Sequence, residues 1–194
     1  LVPYCKHLAP TEHMTDNAFA FNCGARVKVG QDSSVFARGI TSQITGSHAD
    51  IVISDDIEIE GNSDTEVQRE KLLGRLHELE QIRNPGGRVI MLGTPQTRDS
   101  IYNKLAESYP QIKFPAVTPD PHIDSQCENV ADWIMALEGE PGTSTQPERF
   151  TQELLEERKA KIGPTKFDLH YRLDCSLADV GKYPLRLADL VVFD

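Results

Sequence analysis

The residues best placed to do chemistry are three carboxylates, Asp55, Asp56 and Glu58, set directly behind the apolar run Ile51-Val52-Ile53. Two adjacent carboxylates repel each other, and a bound divalent cation relieves that repulsion. Nucleotide-triphosphate hydrolases place an aspartate at the end of an apolar strand, where it bears on the waters of Mg²⁺. A second carboxylate then orients or deprotonates the attacking water. On this reading Asp55 is the metal residue, Asp56 the first candidate for water activation and Glu58 the second. The same residues also suit a plain strand that runs into a solvated acidic turn.

A second segment raises the value of the first. The run "RVIML" (88–92) is another apolar strand, and it ends at Gly93-Thr94-Pro95-Gln96. In an open parallel sheet, ligands bind beyond the carboxyl ends of the strands, so Thr94 and Gln96 emerge beside Asp55 and Asp56. A hydroxyl or amide there can register a γ-phosphate and pass on its loss.

The elements that must position these residues are legible in outline. "DIVIS" (50–54) has the continuous apolar pattern of a strand buried on both faces. Ser63 and Glu66 make a capping box that opens a helix. Val67, Leu72, Leu73, Leu76, Leu79 and Ile82 give that helix an apolar face, and Asn84-Pro85-Gly86-Gly87 ends it. A further helix over about 99–108 and a third strand over 111–117 complete the order strand, helix, strand, helix, strand. That alternation implies βαβ crossovers and a parallel sheet, hence an α/β fold. Upstream, "AFAFN" (18–22), "ARVKV" (25–29) and "SVFARGI" (34–40) are short β-prone runs. After Pro119 the chain becomes proline-rich, with two helical stretches at about 151–162 and 165–174 split by Gly163-Pro164. This places a boundary near 118, between an α/β part (1–117) and a mostly helical part (118–194).

Bulk composition narrows the class. Of 194 residues, 39% are hydrophobic and 26% charged, which is a globular composition. A formal net charge of −10 points away from a surface that grips nucleic acid phosphates along its whole length. The four cysteines, Cys5, Cys23, Cys127 and Cys175, have no paired spacing, so a reducing cytoplasm is expected. A zinc site from Cys5, His7, His13 and Cys23 fits no standard spacing. No apolar run approaches membrane-spanning length. Leu1 in place of methionine and the apolar ending "LADLVVFD" suggest a piece of something longer.

Three segments, "ITSQITGSHADIVISDDIE", "RVIMLGTPQT" and "KYPLRLADLVV", together resemble the large terminase subunit of tailed bacteriophages, in the branch serving short-tailed podophages. The match covers nearly all of the chain beyond about residue 34, in order and at similar spacing. The resemblance implies a partial RecA-like P-loop ATPase core followed by a linker toward an RNase H-like nuclease domain. It implies ATP and Mg²⁺ as cofactors. The implied setting is a homo-oligomeric ring on the procapsid in the host cytoplasm, with double-stranded DNA, portal protein and small terminase subunit as partners. It gives Asp55 the Walker B metal role, Asp56 or Glu58 water activation, and Gly93-Thr94-Pro95 the coupling of hydrolysis to DNA movement.

The chain departs from the family pattern in two ways. Gly86-Gly87 lacks the Lys-Ser/Thr of a phosphate cradle, so that loop is expected upstream of Leu1. Relatives tend to carry Arg where His48 stands, which leaves Arg38 as a stand-in for an arginine that stabilises the transferring phosphate. Two rival readings stay open. One is a metal-dependent nuclease built on Asp50, Asp55, Asp56 and Glu58, although Asp50 and Asp55 flank a strand and so lie on the order of 16 Å apart. The other is a non-catalytic interaction module with a degenerate ATPase fold.

Overall fold

The ends of the strand Ala49–Asp55 meet two different parts of the chain, and they divide between two compact units. The computed structural model describes residues 9, 17, 19–25, 32–44, 46–176 and 178. One unit comprises Leu1–Ser54 with Gly74–Met91, the other Asp55–Leu73 with Leu92–Asp194. Most of "ARVKV", the segment "KYPLRLADLVV", and Cys5, His7 and His13 of the considered zinc set lie outside the described residues.

In the first unit, β1 (Ala20–Phe21) and β2 (Val35–Phe36) form a short antiparallel pair. The strands β3 (Ala49–Asp55) and β4 (Arg83–Leu92), all but the last residue of each in this unit, form a second two-stranded sheet, and they run parallel. Asn84 Nδ2 donates to Asp50 Oδ1 at 2.9 Å near its start. Here the two backbones approach so closely that a Cβ on Gly87 would lie 2.6 Å from the Asp50 carbonyl oxygen. That contact explains a glycine inside the strand.

Expected burial on both faces of β3 does not occur. Val52 and Ser54 are buried, whereas Ile51 and Ile53 are 58% and 61% exposed. Successive side chains of a strand point to opposite faces, and the described residues cover only one of them. The helix α2 (Glu66–Ile82) ends where Asn84-Pro85 requires, with Leu76, Leu79 and Ile82 buried on its stretch in this unit.

In the second unit, Asp55 to Glu58 turn into the short helix α1 (Glu60–Ser63). The start of α2 lies two residues later than the Ser63–Glu66 box implies. Thr65 and Gln68 form the reciprocal pair instead, the Gln68 amide bonding Thr65 Oγ1 at 3.3 Å and the Thr65 amide bonding Gln68 Oε1 at 2.9 Å. Ser63 is fully buried and its hydroxyl donates to the Ile59 carbonyl oxygen at 2.8 Å, so it is not available as a cap. Beyond Leu92, a loop leads to α3 (Ile101–Leu105).

The third strand expected over 111–117 is not part of the β3–β4 sheet. This segment makes single bridges, Lys113 to Val130 and Val117 to Ser144. Its N–H groups go to separate partners, Lys113 to Asn129 and Ala116 to Tyr171, and just beyond it Thr118 bonds Thr143. Pro115 has no N–H and interrupts any ladder. Short helices α4 (Asp124–Cys127) and α5 (Asp132–Met135) follow, with Val130, Ala131 and Ile134 clustered around the latter.

The later helices match the expected stretches. Thr151 caps α6 (Gln152–Ile162), its hydroxyl accepting from the Leu154 N–H. Gly163, at φ 82°, lets Pro164 open α7 (Pro164–Phe167). A π-helical turn, Asp168–Arg172, closes on Leu173 in the left-handed region. Val117, Leu155 and Phe167 form the core there, with Phe150 and Tyr171 packed against it.

Candidate active site

The acid turn and the loop after β4 belong to the same unit, and the structure brings them together. At the end of β3, the Asp56 N–H donates to the Leu92 carbonyl oxygen at 3.1 Å. Asp56 has φ 45°, in the left-handed region that aspartate tolerates better than most residues. Strain of that kind persists where surrounding structure enforces it, and it clusters at functional sites. Both Asp55 and Asp56 are exposed. Among the described residues, neither carboxylate accepts a hydrogen bond or joins an ion pair.

Glu58 is in the opposite situation. It is 2% exposed, and both of its oxygens are used. Oε1 accepts from the Gln96 N–H at 3.0 Å. Oε2 accepts from the Ser100 hydroxyl at 2.8 Å and the Ile101 N–H at 2.8 Å. Ser100 is also the cap of α3, its Oγ accepting from the Tyr102 N–H at 3.2 Å.

Thr94 and Gln96 are half-buried. The Gln96 amide group donates to the Thr94 carbonyl oxygen at 3.1 Å, which folds the loop onto itself. Next to them, the buried Thr97 hydroxyl oxygen has no hydrogen-bond partner among the described residues. The Tyr102 hydroxyl donates to the same Leu92 carbonyl oxygen, at 3.2 Å. Burial pushes the Tyr102 phenol up to about 12, and the charges of Glu58 and Asp56 push the same way.

Arg38 and His48 lie in the other unit. The Arg38 guanidinium is exposed; it donates to the Gln43 carbonyl oxygen at 2.7 Å and sits 5.5 Å from the centre of the Phe36 ring. His48 is exposed, and its backbone N–H bonds Asp32 Oδ2 at 3.2 Å.

Two members of the site, Ser100 and Tyr102, were not singled out by sequence reasoning. A serine just before an apolar helical run is an N-cap signal, so Ser100 could have been found that way. Tyr102 carries no such local signal.

The donor chemistry around Asp55 and Asp56 fits Mg²⁺. This ion keeps several waters and binds through one or two carboxylates plus substrate phosphates, rather than in an all-protein cage. No group of three or more His, Cys, Asp or Glu is gathered for a metal among the described residues. No helix among them is long and apolar enough to cross a membrane.

No protein-family model matches the chain. It is 38% identical to the large terminase subunit of Enterobacteria phage T3 over 206 aligned positions, covering 99% of this chain. The chain spans 34% of that relative's length. The likeness therefore runs through both compact units and through the acid turn and the Gly93–Gln96 loop alike. By that near-complete coverage at that identity, the chain belongs to the large terminase subunits.

Proposed function

We propose that this chain is part of a viral DNA-packaging motor, in which ATP hydrolysis drives double-stranded DNA into a procapsid. Residues 1–117 are the later part of a RecA-like P-loop ATPase domain, and residues 118–194 a linker toward a nuclease domain. The observation that carries the reading is the exposed pair Asp55 and Asp56 at the carboxyl end of a parallel strand, their carboxylates without hydrogen bonds among the described residues, with the Asp56 N–H bonded to the Leu92 carbonyl oxygen directly before the Gly93–Gln96 loop.

On this reading Asp55 holds Mg²⁺, which neutralises charge on the triphosphate. Asp56 accepts the proton of the attacking water, for which an exposed carboxylate with free lone pairs is suited. Thr94 and Gln96 lie where a change at the γ-phosphate is felt. The 194 residues contain no Gly-rich loop ending in Lys-Ser or Lys-Thr. The phosphate cradle is then supplied from elsewhere in the longer protein, whereas Arg38 stands in for the arginine that relatives carry at the position of His48. Assembly into a homo-oligomeric ring with portal protein and small terminase subunit, in the host cytoplasm, belongs to the same reading.

The test is DNA-stimulated ATP turnover by the full-length protein with Mg²⁺. Asp55→Asn and Asp56→Asn each lower it by about a hundredfold or more, with the circular dichroism spectrum unchanged. Asparagine tolerates the left-handed backbone at position 56, so loss of activity there does not reflect misfolding. Full turnover in both variants would favour the non-catalytic interaction module.

A further inference from the structure

Glu58 is a buried carboxylate without a cation. Among the described residues it joins no ion pair, and its charge is met by two backbone N–H groups and one hydroxyl. Those partners lie 38, 42 and 43 residues further along the chain. Hydrogen bonds to an ionised acceptor are about twice as strong as neutral ones, so this is a firm junction between two distant segments.

The segment it grips carries Thr94 and Gln96. The loop is fixed at three places. At its start, the Leu92 carbonyl oxygen receives both the Asp56 N–H and the Tyr102 hydroxyl. In its middle, the Gln96 N–H bonds Glu58 Oε1. At its end, Ser100 and the Ile101 N–H bond Glu58 Oε2. Asp56 and Glu58 are two residues apart on the opposing turn. A displacement of the acid turn therefore carries the loop with it.

Glu58 is also poorly placed to be a base. Oε2 already accepts two bonds, which fills both of its lone pairs, and Oε1 has one of two filled. At 2% exposure, the remaining lone pair has little access to water.

We infer that Glu58 is a positioning residue: it locks the turn bearing Asp55 and Asp56 to the loop bearing Thr94 and Gln96, so that the two respond to nucleotide as one body. This inference rests on the ATPase reading above and assigns Glu58 a role within it.

The test uses full-length protein carrying Glu58→Gln or Ser100→Ala. The first keeps the shape and removes the charge; the second removes one of the three bonds and touches no candidate base. Without nucleotide, amide hydrogen exchange in the peptide spanning Gln96 and Ile101 speeds up about tenfold or more in Glu58→Gln, and less in Ser100→Ala. Unchanged exchange in both overturns the lock. In turnover assays kcat falls by about tenfold in Glu58→Gln while KM for ATP stays within about twofold. A rise in KM for ATP with kcat unchanged in Glu58→Gln would overturn the inference. Should Glu58→Gln fail to fold, Ser100→Ala gives the same two readouts. Wild-type protein without Asp55- and Asp56-dependent hydrolysis would sink the ATPase reading together with the coupling role. Normal wild-type hydrolysis with both variants unaltered would sink the inference alone.

Discussion

Gly93 and Tyr102 compete for one volume. A Cβ at position 93 would fall 1.9 Å from the Tyr102 hydroxyl oxygen and 2.4 Å from the ring carbon that bears it. Gly93→Ala should therefore cost about 1–3 kcal/mol in denaturant unfolding, the range for overpacking. It should also expel the phenol, bringing its titration down from about 12 toward the ordinary value near 10. Ultraviolet difference titration against Tyr102→Phe reads this directly. The linkage has a definite sign. A phenol whose folded pKa is raised contributes stability that is complete below about pH 10 and lost as pH climbs through about 12. Wild-type stability should fall across that window more steeply than Gly93→Ala does, and equal slopes would refute the account. At this scale the acids were legible, because charge stacked behind an apolar strand is a local pattern. The partners of Glu58 were not, since hydrogen bonds across 38 to 43 residues leave no local trace.

Among the elements, α2 offers the cleanest experiment. Gly74 lies in its interior, is exposed, and has open space where a Cβ would be added. Its φ is not positive, so alanine adopts the same backbone without strain. Gly74→Ala should stabilise the protein by about 0.5–1 kcal/mol, through helix propensity and a less free unfolded chain. A thermal melt with no rise in midpoint would show that this stretch of helix does not need the propensity. The start of the same helix marks where sequence reasoning runs short. Ser63-x-x-Glu66 and Thr65-x-x-Gln68 both satisfy the capping pattern. Burial of Ser63 and its bond to the Ile59 carbonyl decide between them, and neither is visible in the local sequence. Likewise the apolar run at 111–117 reads as a strand, but its N–H groups find separate partners, Asn129 and Tyr171, and no ladder among the described residues.

For the molecule as a whole, the open side of β3 has a consequence in solution. Ile51, Ile53 and Ile90 are large, apolar and exposed on paired strands of a parallel sheet, an architecture that normally has both faces covered. The 194-residue chain expressed alone should associate through such a surface. Sedimentation velocity should show oligomers at micromolar concentration that Ile53→Lys shifts toward monomer; a chain monomeric from the outset would remove the argument.

The sequence by itself determined the strand–acid–helix order around Asp55 and Asp56, the stop at Asn84-Pro85, and the family, because these depend on neighbours along the chain and on residue types in fixed order. Only the tertiary structure decided which carboxylates are left without hydrogen bonds among the described residues and which one is consumed as a junction. It also decided which face of β3 is covered and where α2 begins. Each of these turns on a partner distant in sequence, and burial or a hydrogen bond exists only once the chain has brought that partner near.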